Sequence, residues 1–122
     1  MRRQVFVMLA LLLGLAAAAS ASFFDFEQLT VDNTSGGVTF TASKITPASS
    51  PPMTYADCRL RTAEVSYLTV DPKVTAVTSS VGQLLEPGDR LIFLKREDML
   101  NFRAIRTGAT SGQLDCYYKN LP

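Results

Sequence analysis

From residue 23 onward the chain holds no stretch with the apolar spacing of an amphipathic helix. Short runs of alternating apolar and polar residues are separated instead by clusters of Gly, Pro, Asn, Asp and Ser, at intervals of roughly 8 to 12 residues. Such alternation puts successive side chains on opposite sides of a strand, so each run can bury one face. Half-buried strands must pair and then cover their apolar faces with a second layer. The pattern therefore predicts an all-β chain folded as a single antiparallel β-sandwich or jelly-roll-like domain.

Leu29 and Val31 alternate with polar neighbours after the aromatic start Phe23-Phe24-Asp25-Phe26. The Asp32-Asn33-Thr34-Ser35-Gly36-Gly37 turn then predicts a hairpin into a strand over Val38 to Ala42. Pro47, Pro51 and Pro52 make Thr46 to Met53 a surface loop, because proline supplies no ladder donor and breaks a helix. A long strand is predicted over Cys58 to Val70, with a bulge near Thr62, where the apolar positions change parity from Cys58 and Leu60 to Ala63, Val65 and Tyr67. Asp71-Pro72 ends it, Val74 to Val81 predicts a short strand, and Glu86-Pro87-Gly88-Asp89 has Pro and Gly placed for a type II turn. Leu91 to Leu94 reads as a strand buried on both faces and Glu97 to Leu100 as a single helical turn. Phe102 to Thr107 and Gln113 to Tyr118, joined by Gly108 to Gly112, make a predicted closing hairpin.

Residues 1–21 carry a different pattern. Met1-Arg2-Arg3 is a basic start, Val5 to Leu15 is uncharged and apolar apart from Gly14, and Ala19-Ser20-Ala21 is a small-x-small site for signal peptidase. A cleaved secretory signal peptide over 1–21 leaves 22–122 as the β-sandwich domain. The alternative is a membrane anchor, but the apolar stretch only just approaches the ~20 residues a spanning helix needs, and the cleavage motif sits at its end. The reading is a protein that is secreted, periplasmic or at the cell surface, with no membrane span in its mature form.

Composition removes whole classes of chemistry. Setting aside Arg2 and Arg3, the twelve basic residues become ten against eleven acidic ones, so no basic field attracts nucleic acid. The chain has no histidine, which removes the commonest general base, the commonest zinc ligand and every Ser-His or Cys-His nucleophile. In an exported chain the two cysteines, Cys58 and Cys116, read as one disulfide. Cys58 shares parity with Leu60 and Cys116 with Leu114, so both face the core, where a bridge between neighbouring strands can form. The alternative is a pair of buried thiols acting as small hydrophobes.

No carboxylate pair stands in a catalytic motif. Glu27, Glu64, Glu86, Glu97 and Asp98 fall where solvated strand faces and turns place them. Asp32, Asp71, Asp89 and Asp115 lack the dense spacing of a calcium loop, so neither a metal nor another cofactor is expected. No pattern around Lys44, Lys73, Lys95 or Lys119 asks for a Ser-Lys nucleophile. Arg59, Arg61, Arg103 and Arg106 stud strands at near-alternate spacing, as a sheet face paired with Glu64 or Asp115, or as a face for an anionic polymer. Tyr55, Tyr67, Tyr117 and Tyr118 are the recognition candidates, since sugar rings stack on exposed aromatics. Consecutive Tyr117 and Tyr118 must point to opposite faces, so one of them is outward.

Thr62-Ala63-Glu64-Val65-Ser66-Tyr67, Asp71-Pro72, Val81 to Asp89, Phe102 to Arg106 and Ser111 to Leu114 together resemble small all-β structural proteins of tailed phages, over roughly residues 30–118. More distantly, the chain resembles the β-sandwich modules of chitinolytic enzymes, with Pro72 where those modules usually carry glycine. Either resemblance implies a non-enzymatic role in assembly or surface attachment, with no catalytic residue carried over. The first reading is thus a secreted or surface-associated β-sandwich, not an enzyme, that acts on a protein or glycan surface or by self-association. A virion structural or decoration protein comes second, and a small exported hydrolase built on two carboxylates third. The expected working face is the sheet carrying the closing hairpin, with Arg103, Arg106, Tyr117 and Tyr118 as binding residues around a glycine-bounded loop.

Overall fold

The computed structural model describes residues 24–121, and the expected signal peptide over 1–21 lies outside them. The described chain is all-β, with seven strands in two antiparallel sheets. These are β1 (Phe24–Val31), β2 (Tyr55–Thr62), β3 (Val65–Leu68), β4 (Gln83–Leu85), β5 (Arg90–Phe93), β6 (Arg103–Arg106) and β7 (Gly112–Lys119). Two short helices, α1 (Ala42–Ile45) and α2 (Arg96–Asn101), lie in the connections. One sheet has the order β1-β7-β2-β5 and the other β4-β3-β6.

In the four-stranded sheet the alternation read from the sequence becomes two faces. Leu29, Val31, Ala56, Cys58, Leu60, Leu114, Cys116 and Tyr118 point inward and are buried. From the other sheet Val65, Leu85 and Ala104 meet them, and Phe40, Ile45, Met53, Met99 and Phe102 join the same core from the connections. Phe40 stacks on Phe102 with ring centroids 4.3 Å apart and meets Phe93 and Tyr118 edge-on, the offset and T-shaped arrangements that aromatic quadrupoles favour. Cys58 and Cys116 are direct cross-strand partners on β2 and β7, with Cα atoms 4.1 Å apart, and they form a disulfide at the centre of the sheet.

Several turn assignments hold. The register of β2 on β7 slips between Leu60 and Thr62, at the bulge expected from the parity change. Gly88 has φ +93° and the Asp89 N–H donates to the Glu86 carbonyl at 2.9 Å, closing the predicted turn. The proline segment carries neither strand nor helix. Its loop is pinned by Arg96, whose guanidinium donates to the carbonyls of Ile45 (3.0 Å) and Met53 (3.1 Å) and to the Thr46 hydroxyl (2.6 Å).

Other expectations are corrected. The long strand from Cys58 to Val70 is two strands in different sheets: the chain bends at Ala63, which takes φ +48°, and crosses from β2 to β3. Gly112 makes room for that crossing, because a Cβ there would lie 2.5 Å from Val65 Cγ1 and 3.0 Å from the Ala63 carbonyl oxygen. The closing hairpin is likewise no hairpin, since β6 pairs with β3 while β7 pairs with β1 and β2, and Gly108 to Gly112 carries the chain between the sheets. After the turn at Gly36 and Gly37 the chain also changes sheets, so Val38 makes a single bridge to Ala104 and no strand covers Val38 to Ala42. Val74 to Val81 forms no strand; its Val77 is buried, with Cγ1 2.6 Å from the point where a Cβ on Gly37 would stand. Finally, β5 is an edge strand with Phe93 inward and Ile92 and Leu94 exposed, because among the described residues no layer covers the outer side of its sheet.

Candidate functional site

The outer side of the four-stranded sheet presents the residues of opposite parity to the disulfide. Cross-strand register sets them in rows: Phe26, Tyr117, Asp57 and Ile92; then Gln28, Asp115, Arg59 and Arg90; and, toward the other end, Phe24, Lys119 and Tyr55. Phe24, Phe26, Ile92 and Tyr117 are exposed, Tyr117 by 51%. Phe26 and Tyr117 form a tilted ring pair with centroids 5.1 Å apart, and Lys119 Nζ lies 5.7 Å from the Tyr55 ring centre. Over the two central strands Phe26, Asp57, Arg59, Arg61, Arg90, Asp115 and Tyr117 line an open depression of about 700 Å³.

The charges in this depression are unequally engaged. Arg90 grips Asp57 with both arms of its fork, Nε to Oδ1 at 2.8 Å and Nη2 to Oδ2 at 2.5 Å. That bidentate hydrogen bonding, reinforced by the charges of Arg90, Arg59 and Lys119, holds the Asp57 carboxyl below the usual range and raises the Arg90 guanidinium. Asp57 thus stays ionised, the opposite of the raised pKa a general acid needs. Arg61 Nη1 reaches Asp115 Oδ2 at 3.1 Å, as the sequence suggested for the arginine face. Asp115 Oδ1 is buried and accepts no hydrogen bond among the described residues, although Arg59 stands directly opposite Asp115 in the ladder. Arg59 makes no ion pair among the described residues.

The four residues singled out as a binding set are not brought together. Tyr117 lies on the outer face, but Tyr118 is fully buried on the other side of β7 and donates its hydroxyl hydrogen to Glu27. Burial and then this carboxylate push the Tyr118 hydroxyl pKa far up. Glu27 is itself no solvated strand residue: it also accepts from the Thr41 hydroxyl (2.6 Å) and backbone N–H (3.0 Å). Arg103 and Arg106 are on β6, in the three-stranded sheet. Arg103 Nη1 closes the end of α2 by donating to the carbonyls of Leu100 (3.1 Å) and Phe102 (2.7 Å), and the Arg106 N–H donates to the Asp32 carbonyl (3.0 Å).

Sequence reasoning missed Phe26, Asp57, Arg90 and Ile92. A signal for Asp57 was present, since Asp57, Arg59 and Arg61 have the opposite parity to inward Cys58, as Asp115 and Tyr117 have to Cys116. Among the described residues no group of three or more Asp, Glu or Cys side chains is placed to hold a metal ion, and no helix is long and apolar enough to cross a membrane. What the face exposes is the ring surface of Phe26 and Tyr117 and, among the described residues, the unpaired guanidinium of Arg59. Set against protein-family profiles, curated proteins and solved structures, the chain matches none.

Proposed function

We propose that this protein is exported, loses residues 1–21, and works as a non-enzymatic β-sandwich binding module through the outer face of its four-stranded sheet. The observation that carries the reading is the union, over the two central strands, of exposed Phe26 and Tyr117 with Arg59, Arg61 and Arg90. Exposed aromatics and arginines are the side chains in which binding energy concentrates, and a rigid, disulfide-bridged sheet holds them at little entropic cost. The buried disulfide and the basic-apolar-small order of the first residues agree with an oxidising compartment. The carboxylates of the face are engaged by arginines, which favours attachment over hydrolysis.

The test is retention of the exported chain on cell-envelope material. Protein recovered outside the cytoplasm should have the intact mass of 22–122 and should sediment with envelope, whereas a Phe26→Ala/Tyr117→Ala variant with an unchanged melting temperature should stay in the supernatant. Equal retention of the variant, or a full-length species held in membranes, contradicts the proposal.

A further inference from the structure

We infer that the depression on the outer face binds a uronic acid residue of an anionic glycan, with the sugar carboxylate on Arg59 and the sugar ring against Tyr117. The inference rests on the reading of this face as the working surface and names its ligand.

The charge of the site points to an anion. Asp57 and Asp115 are each matched by an arginine, which leaves Arg59 as the uncompensated charge of the depression, and Lys119 adds a second cation on the same face. The chain beyond the leader is slightly acidic, with ten basic residues against eleven acidic once Arg2 and Arg3 are set aside, so this positive field belongs to the face and not to the molecule at large. The planar guanidinium fork matches a carboxylate with two parallel hydrogen bonds.

Position in the sheet selects among anions. β7 and β2 are interior strands, each hydrogen-bonded on both sides, so the depression above them offers no free backbone N–H or C=O. An extended acidic peptide gains much of its affinity by adding a strand at a sheet edge, and the two strands beneath the centre of the depression are already paired on both sides. A second copy laid on this face would bring together two patches that each carry Arg59, Arg61, Arg90 and Lys119 against only Asp57 and Asp115, a net like-charge contact. What remains is a ligand read by side chains alone, with a ring to cover exposed Tyr117 and an anion for exposed Arg59. A uronic acid carries both, and about 700 Å³ is room for one or two sugar units.

Calorimetric titration of the exported protein decides the matter, with polygalacturonate and alginate as uronate polymers, fully methyl-esterified polygalacturonate as the neutral match and dextran sulfate as a general polyanion. The uronate polymers should bind at least about tenfold more tightly than the ester. Arg59→Gln should remove that difference without changing ester binding, Arg59→Lys should restore part of it, and Tyr117→Ala should weaken both polymers. Arg59 is exposed and unpaired, so melting temperatures should not move. Equal affinity for acid and ester, stronger binding of dextran sulfate that Arg59→Gln leaves unchanged, or no binding of any uronate polymer overturns the inference. If uronate binding fails while envelope retention still needs Phe26 and Tyr117, the working face stands with another ligand. If retention ignores those residues, the face itself falls.

Discussion

Removing the Cys58–Cys116 bridge should cost most of the stability of this domain. The bridge closes a sequence separation of 58 residues, and in the chain-entropy account a closed loop of that length restrains the unfolded state by about 4 kcal/mol. Both cysteines have no exposed surface, so a Cys58→Ala/Cys116→Ala variant also leaves two small voids at the centre of the four-stranded sheet, at about 1 kcal/mol each. The sum, about 6 kcal/mol, is comparable with the whole stability of a small domain. With a shift of about 4 to 8 °C per kcal/mol at this size, the melting midpoint should fall by at least about 20 °C. Circular dichroism melts of the exported protein and the double variant measure it. Wild type reduced in denaturant and refolded in the presence of excess reductant at the same pH keeps both sulfurs in place and so separates the entropic part from the voids. Because the bridge is buried, native protein should resist reductant until it unfolds. A midpoint within about 5 °C of wild type, or two thiols that alkylate freely in native protein purified without reductant, contradicts a bridge that restrains the unfolded chain.

Tyr118 and Gly112 supply two further tests. The folded pKa of Tyr118 is raised above its unfolded value near 10, so its contribution is complete below about pH 10 and declines by about 1.4 kcal/mol per pH unit above it; chemical denaturation from pH 7 to 11 should show this decline in wild type and a flatter one in Tyr118→Phe. Equal alkaline slopes in the two proteins contradict the buried Tyr118–Glu27 pair. Gly112→Ala would drive a methyl group into Val65 and the Ala63 carbonyl at the crossing between sheets, and urea unfolding should register a loss of about 1 to 3 kcal/mol. A loss below about 0.5 kcal/mol would mean the crossing has slack that the structure does not show.

Much of the architecture was legible because it follows from period-two burial. The parity of Cys58 with Leu60 and of Cys116 with Leu114 placed both cysteines inward, and the parity change near Thr62 located the bulge. What alternation does not carry is sheet membership. A strand that ends at a bulge and one that crosses to another sheet have the same local pattern, and the difference at Ala63 and Gly112 lies in a positive φ and a missing Cβ whose need appears only when the sheets are packed together. The same gap split the binding set. Strand geometry makes Tyr117 and Tyr118 diverge, but it is the predicted closing hairpin that puts Arg103 and Arg106 in the sheet of Tyr117, whereas β6 pairs with β3. The actual face depends on the first strand lying beside the last, so that Phe26 meets Tyr117 across 91 residues of chain, and on long-range register that brings Arg90 to Asp57. Short-range patterning specifies which way a side chain points; neighbours across a sheet come from the order of its strands.

Whether the outer face of the four-stranded sheet is the working surface is decided by mapping amide chemical shifts while a galacturonate oligomer is titrated into the isotope-labelled, disulfide-bridged protein. The account requires shifts concentrated at Asp57, Arg59, Arg61, Arg90, Asp115 and Tyr117, with β3, β4 and β6 unmoved. Shifts confined to the three-stranded sheet or to the 108–112 loop would contradict it, whereas no shift at all would remove the uronate and leave the face to the envelope-retention test.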